Sequence, residues 1–109
     1  MNLDFDALDS DGYPTEEYLR FIKDYDGKTA IMEFVAVLMT GWWAGDWGFV
    51  LHRKHKGVRK LELHTGGWSG NADVIQAILS NIFLTHFNMR YKMWKTGGHY
   101  YFEIDADQK

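Results

Sequence analysis

Helical and hairpin patterns in the sequence predict an α+β domain of order ααββαββ, with a four-stranded, mainly antiparallel sheet covered by helices on one face. Three observations carry this. Apolar residues recur at helical spacing in three stretches, two pairs of strand-like runs close on glycine-containing turns, and no linker or internal repeat interrupts the 109 residues. Residues 1–109 therefore read as one domain, with residues 1–12 as a loosely ordered acidic lead-in.

The first helix should start at Pro14-Thr15-Glu16-Glu17, where Thr15 can cap free amides and the glutamates suit the positive end of the helix dipole. Tyr18, Phe21, Ile22 and Tyr25 give it one apolar face, and Asp26-Gly27 ends it. A second helix is expected from about Thr29 to Thr40, with Ile31, Phe34, Val35 and Leu38 as its stripe. Gly41 and Gly45-Asp46 then bracket Trp42 and Trp43 in a break. The run from Trp47 to Arg53 reads as a strand pairing with Val58 to Thr65 across a turn at His55-Lys56-Gly57.

Thr65-Gly66-Gly67-Trp68-Ser69-Gly70-Asn71 forms a strand-to-helix junction. Val74, Ile75, Ile78, Leu79, Ile82 and Phe83 line one face of the helix beyond it, which should end near His86. Met89 to Lys95 and His99 to Asp105 then make a second hairpin around Thr96-Gly97-Gly98. Alternation puts Leu61, Leu63, Tyr100, Phe102, Ile104, Met89, Tyr91 and Met93 under the helices. The open face would present Lys60, His64, Arg90, Lys92, Trp94, His99 and Tyr101.

Composition excludes several classes. There is no cysteine, so disulfides and thiolate metal sites are ruled out, and a reducing, cytoplasmic setting is the natural expectation. Met1 to Asp11 lacks the basic start and apolar run of a signal peptide, and no apolar stretch approaches a membrane span. Net charge is −3 but segregated: residues 1–26 hold eight acidic and two basic side chains, while eight of twelve Lys/Arg lie between Arg53 and Lys95. Aromatic residues reach 17%, with five Trp, which suits either a ring-rich core or a surface that uses rings for recognition.

Three groups of residues could carry function. At the junction, Gly66, Gly67, Trp68, Ser69 and Asn71 offer backbone freedom and a helix N-terminus, the usual basis of anion binding, or else a tight turn with Trp68 set in the core and Ser69 or Asn71 as cap. No P-loop or dinucleotide spacing is present. His64 and His99 lie at glycine-flanked strand ends, and with Ser69 they are the candidates for proton transfer, Glu62 or Glu103 serving as orienter. These residues do not make a complete catalytic set, and without HxxxH or HExxH spacing no metal or cofactor is expected. Finally Lys60, Arg90, Lys92, Trp94 and Tyr101 resemble a stacking platform with phosphate-binding flanks, although the pI of 5.9 is low for a dedicated nucleic-acid binder.

Gly12-Tyr13-Pro14-Thr15-Glu16-Glu17, Met32-Glu33-Phe34 with Trp42-Trp43, the Thr65–Asn71 junction and Gly97-Gly98-His99-Tyr100 resemble, in order, a family of small proteins from phages and bacterial or environmental genomes. That family has no assigned activity. The resemblance therefore implies a context, a phage-type accessory protein in the cytoplasm of a bacterial host, and no catalytic residue. Members read SGNE where this chain has Ala72, so the reciprocal Ser-x-x-Glu capping box is lost here and position 72 is structural. The sequence thus leads to a non-enzymatic accessory protein that recognises a protein or nucleic-acid partner, with no membrane association and with self-association into a homo-oligomer left open. A small enzyme or anion-binding protein built on His64, Ser69 and His99 is the alternative.

Overall fold

The computed structural model describes residues 5–43 and 45–105. Thr15 caps the first helix, α1 (Glu16–Lys23), its hydroxyl oxygen accepting from the Tyr18 amide at 3.2 Å. The same hydroxyl donates to the Asp6 carbonyl at 2.6 Å. Within the expected lead-in, Asp9 turns the chain by accepting from the Asp11 and Tyr13 amides, Leu8 bridges Pro14, and Ala7 is buried. Residues 1–4 lie outside the described residues.

Helix α2 (Ile31–Thr40) is followed by a four-residue helical turn, α3 (Gly45–Gly48), and by β1 (Phe49–Leu51). The strand expected from Trp47 to Arg53 is therefore only three residues long, and Trp47 sits in α3. Close packing accounts for this: Gly48 lies so near the His64 carbonyl and the Trp42 indole that a side chain there would collide with both. Strand β2 (Val58–His64), helix α4 (Ser69–Ser80), a π-helical turn (Leu84–Asn88), β3 (Met89–Lys95) and β4 (His99–Asp105) complete the order.

The sheet runs β1-β2-β4-β3 with every pairing antiparallel. Tyr18 and Ile22 of α1, Phe34, Val35 and Leu38 of α2, and Val74, Ile75 and Ile78 of α4 bury against Leu61, Leu63, Phe102 and Ile104. The helices thus cover the predicted side, as a half-solvated antiparallel sheet requires. Tyr18 is wholly buried and donates its hydroxyl to the Leu38 carbonyl, tying α1 to α2. No helix among the described residues is long and apolar enough to cross a membrane.

Two expectations fail for local reasons. Helix α4 stops at Ser80 rather than near His86, because Asn81 leaves helical geometry at ψ 92°. Its side chain donates to the carbonyls of Ile22 and Tyr25, at 3.0 Å each, and accepts from the Leu84 amide at 3.0 Å. Ile82 and Phe83 are consequently exposed instead of continuing the buried stripe. In β3, the register slips between Tyr91 and Met93, a bulge that moves Met93 opposite Tyr101 and Trp94 opposite Tyr100. Alternation alone had assigned those two to the other faces. Met93 and Lys95 therefore share the open face with Tyr101 and His99, and Trp94 does not.

Burial pushes the Tyr18 phenol far above its ordinary value. A phenol raised in the folded state contributes stability that is complete below the unfolded value near ~10 and is lost as pH climbs past it. Urea unfolding of the wild type is expected to show a steep fall in stability above that pH. Tyr18→Phe should have a shallower alkaline slope and cost about 1 kcal/mol at neutral pH for the lost hydrogen bond.

Candidate recognition site

The junction and the Trp42-Trp43 break meet at one end of the sheet. Asn71 joins them. Its side-chain oxygen accepts from the Trp43 amide at 2.9 Å, and its amide nitrogen donates to the carbonyls of Trp43 at 3.0 Å and Thr65 at 3.3 Å. Asn71 is 2% exposed, so its polar atoms serve the protein's own backbone. Trp68 is half-buried, packs tilted against Tyr13 at 4.7 Å and Trp43 at 5.4 Å between ring centroids, and donates to the Gly12 carbonyl at 3.3 Å. It anchors the junction to the N-terminal turn rather than plugging the core.

These contacts leave a cleft of about 260 Å³ lined by Trp43, Trp47, Thr65, Gly66, Gly67, Trp68 and Asn71. Trp43 and Trp47 remain 46% and 59% exposed, an unusual state for rings that could have been buried. Gly66, at φ +63°, lies directly under the Trp47 ring, where a methyl would collide. Bare backbone at this position gives the ring its room. Ser69 is the exposed first residue of α4 and provides no cap, since Trp68 holds the N-cap position without a side-chain bond. It forms no hydrogen bond with either histidine among the described residues, so the three-residue Ser-His-His arrangement is not assembled.

The two histidines do meet. Register places His64 opposite His99 across β2 and β4, and their Nδ1 atoms are 2.7 Å apart. The ring centroids are 4.9 Å apart, close to that distance plus the two ring radii, so the nitrogens face each other head-on as in a hydrogen bond. Glu62 continues the line, with Oε1 at 3.2 Å from His64 Nε2 and Oε2 at 2.5 Å from His52 Nε2. A carboxylate can only accept, so His64 Nε2 carries a hydrogen. In the neutral form of His64 its Nδ1 accepts from His99 Nδ1–H, which places the lone pair of a neutral His99 at Nε2. The hydrogen bond from His52 is the largest cause holding the Glu62 carboxyl below its ordinary value, with His64 adding to it against partial burial. Among the described residues no three His, Asp or Glu converge as metal ligands.

Trp47 lies between this line and the cleft, with its ring 6.1 Å from that of His64. Further along the open face, Tyr101 packs edge-on to His64 at 6.1 Å and carries the Lys95 ammonium 5.5 Å over its ring. Lys60, Lys92, Met93 and Glu103 surround Tyr101 in a shallow depression of about 180 Å³. Arg90 is committed elsewhere, 2.8 Å from Asp105 and 3.7 Å from Glu103. Trp94 is exposed at the edge strand on the opposite side.

Sequence reasoning missed three members. Trp43 and Trp47 stood out only as part of a break and a strand, and no local signal separates them from Trp42, which is buried in the core. His52 was hidden by register: the turn pairs His55 with Val58 whereas the ladder pairs Leu51 with Leu61, one extra residue on the β1 side. That insertion brings His52 beside Glu62.

Asn71→Ala is expected to cost about 2–4 kcal/mol, because it strands the part-buried amide and carbonyl of Trp43 and the buried carbonyl of Thr65. Urea unfolding would show the loss, and red-shifted tryptophan emission would report the released loop. Glu62→Gln should change the tautomer of His64, visible as altered nitrogen shifts of its ring by NMR, while His86 stays unchanged.

Comparison with protein-family models, with curated proteins and with solved structures gives no match, so the chemistry of the site rests on its own residues.

Proposed function

We propose that this chain is a non-enzymatic recognition protein, a phage-type accessory working in a bacterial cytoplasm, that binds a macromolecular partner. The cleft between Trp43, Trp47 and Trp68 carries the reading. Two half-exposed indoles, Trp43 with its backbone clasped by buried Asn71 and Trp47 packed against Gly66, form a preorganised surface, and preorganised rings bind with little entropic loss. His64, His99 and Tyr101 extend that surface onto the open sheet face. Affinity capture from a bacterial lysate is expected to return a specific partner with the wild type and to lose it with Trp43→Ala/Trp47→Ala. A folded double variant that captures the same partner equally well would remove the reading.

A second reading is favoured by the His99–His64–Glu62 line, which resembles an oriented base waiting for an acidic hydrogen. In it, His99 Nε2 accepts the proton, and Glu62 balances the resulting charge through His64. Diethyl pyrocarbonate is then expected to modify His99 faster than exposed His86, and Glu62→Gln should abolish the difference. Equal rates in the wild type would eliminate proton transfer at this position.

A further inference from the structure

The recognition surface has a second end, of different chemistry. Beyond the depression around Tyr101, a cavity of about 450 Å³ is lined by His52, Arg53, His55, Lys56, Val58, Lys60 and Glu103. It lies at the hairpin tip before β2, whereas the tryptophan cleft lies just past the end of β2. Residues 61–64 of β2 lie between the two linings, a span of about 17 Å from Lys60 to Thr65 at the usual rise.

Charge along this track is uneven in a specific way. The three carboxylates on the open face are already engaged by the protein: Glu62 by His52 and His64, and Glu103 and Asp105 by Arg90. Arg53, Lys56, Lys60 and Lys92 have no carboxylate within ion-pair distance among the described residues. The acidic side chains that set the net charge, including Glu16, Glu17, Asp24 and Asp26, belong to α1 and its end, in the helical layer behind the sheet. A low overall pI is therefore compatible with a cationic open face.

Resting on the recognition reading, we infer that the partner is single-stranded nucleic acid, running along β2 with phosphates at the basic hairpin tip and at Lys60 and Lys92, and with bases against Tyr101 and in the tryptophan cleft. A ligand that fills both ends must be an extended polyanion that also carries flat rings. Single strands present unstacked bases to such platforms. A duplex keeps its bases paired and stacked, out of reach of the cleft. An acidic peptide matches the lysines but supplies no regular series of rings for Trp43, Trp47 and Tyr101.

The test uses the full chain and fluorescence anisotropy with labelled 12-mers of oligo(dT) and oligo(U), a DNA duplex of equal length, and poly-glutamate. The single strands should bind in preference to the duplex. Their affinity should fall with salt at a log–log slope of about −2 to −3, as expected for three or four phosphates. Lys60→Glu/Lys92→Glu should reduce that slope, and Trp47→Ala should weaken binding about 5- to 100-fold at unchanged slope. Circular dichroism and urea unfolding of each variant keep misfolding separate from lost binding.

Tighter binding of poly-glutamate than of either oligonucleotide would overturn the nucleic-acid assignment and leave the recognition reading standing. Equal binding of duplex and single strand, indifferent to Trp47→Ala, would overturn it as well, showing bulk charge attraction alone. If neither polymer binds, the inference fails, whereas the recognition reading is judged separately by the tryptophan-dependent lysate capture.

Discussion

Helix α4 is fastened at both ends by a buried asparagine, and the arrangement of the rest of the molecule depends on those fastenings. Asn71 in its first turn clasps the Trp43 backbone and Thr65, while Asn81 at its C-cap clasps the end of α1. An amide side chain both donates and accepts, so one residue can satisfy backbone groups from two other segments in a place water does not reach. The apolar stripe of Val74, Ile75 and Ile78 supplies most of the attraction to the sheet. Hydrophobic contact is non-directional, and the two asparagines supply the direction.

This division of labour explains why the candidate site lies where it does. The cleft is not a gap left by poor packing, since its back wall is hydrogen-bonded and its floor is glycine. The Trp43 ring on its rim is kept exposed because Asn71 fixes its backbone and its neighbours are already in contact with one another, Trp68 with Tyr13 and Trp43. On the adjoining strands, register brings His64 to His99 and Glu62 to His64. Gly98, at φ +82°, lets the β3–β4 turn approach so near Thr65 that no side chain would fit, and the Thr65 amide bonds the Gly98 carbonyl at 3.0 Å. The end of β2 is thereby locked to the start of β4.

Much of the fold was legible because local signals agreed with the tertiary outcome. Thr15 followed by two glutamates marked the start of α1, and Thr96-Gly97-Gly98 fixed the second hairpin with its strand limits at Met89, Lys95, His99 and Asp105. Glycine-flanked strand ends singled out His64 and His99, but their meeting depends on β4 lying beside β2, a pairing set by the strand order and open in the sequence. What the sequence concealed was non-local. Trp47 joined a helical turn because Gly48 packs against β2, which no window around Trp47 could reveal. Asn81 ended α4 early because its partners, Ile22 and Tyr25, lie far back in the chain. The β3 bulge shifted Met93 and Trp94 between faces because one extra residue is invisible to alternation.

That bulge has a consequence for the solubility of the whole sheet. Strand β3 is an edge strand of seven residues, with Tyr91, Met93 and Trp94 exposed, a composition that invites another strand to add on. The irregularity at its middle breaks the row of evenly spaced amides and carbonyls that such an addition needs, and Lys92 places a charge within it and Lys95 beyond it. The edge is therefore defended against fibre-like growth without giving up its aromatic side chains. A protein can keep rings on display only if the backbone beside them refuses to polymerise.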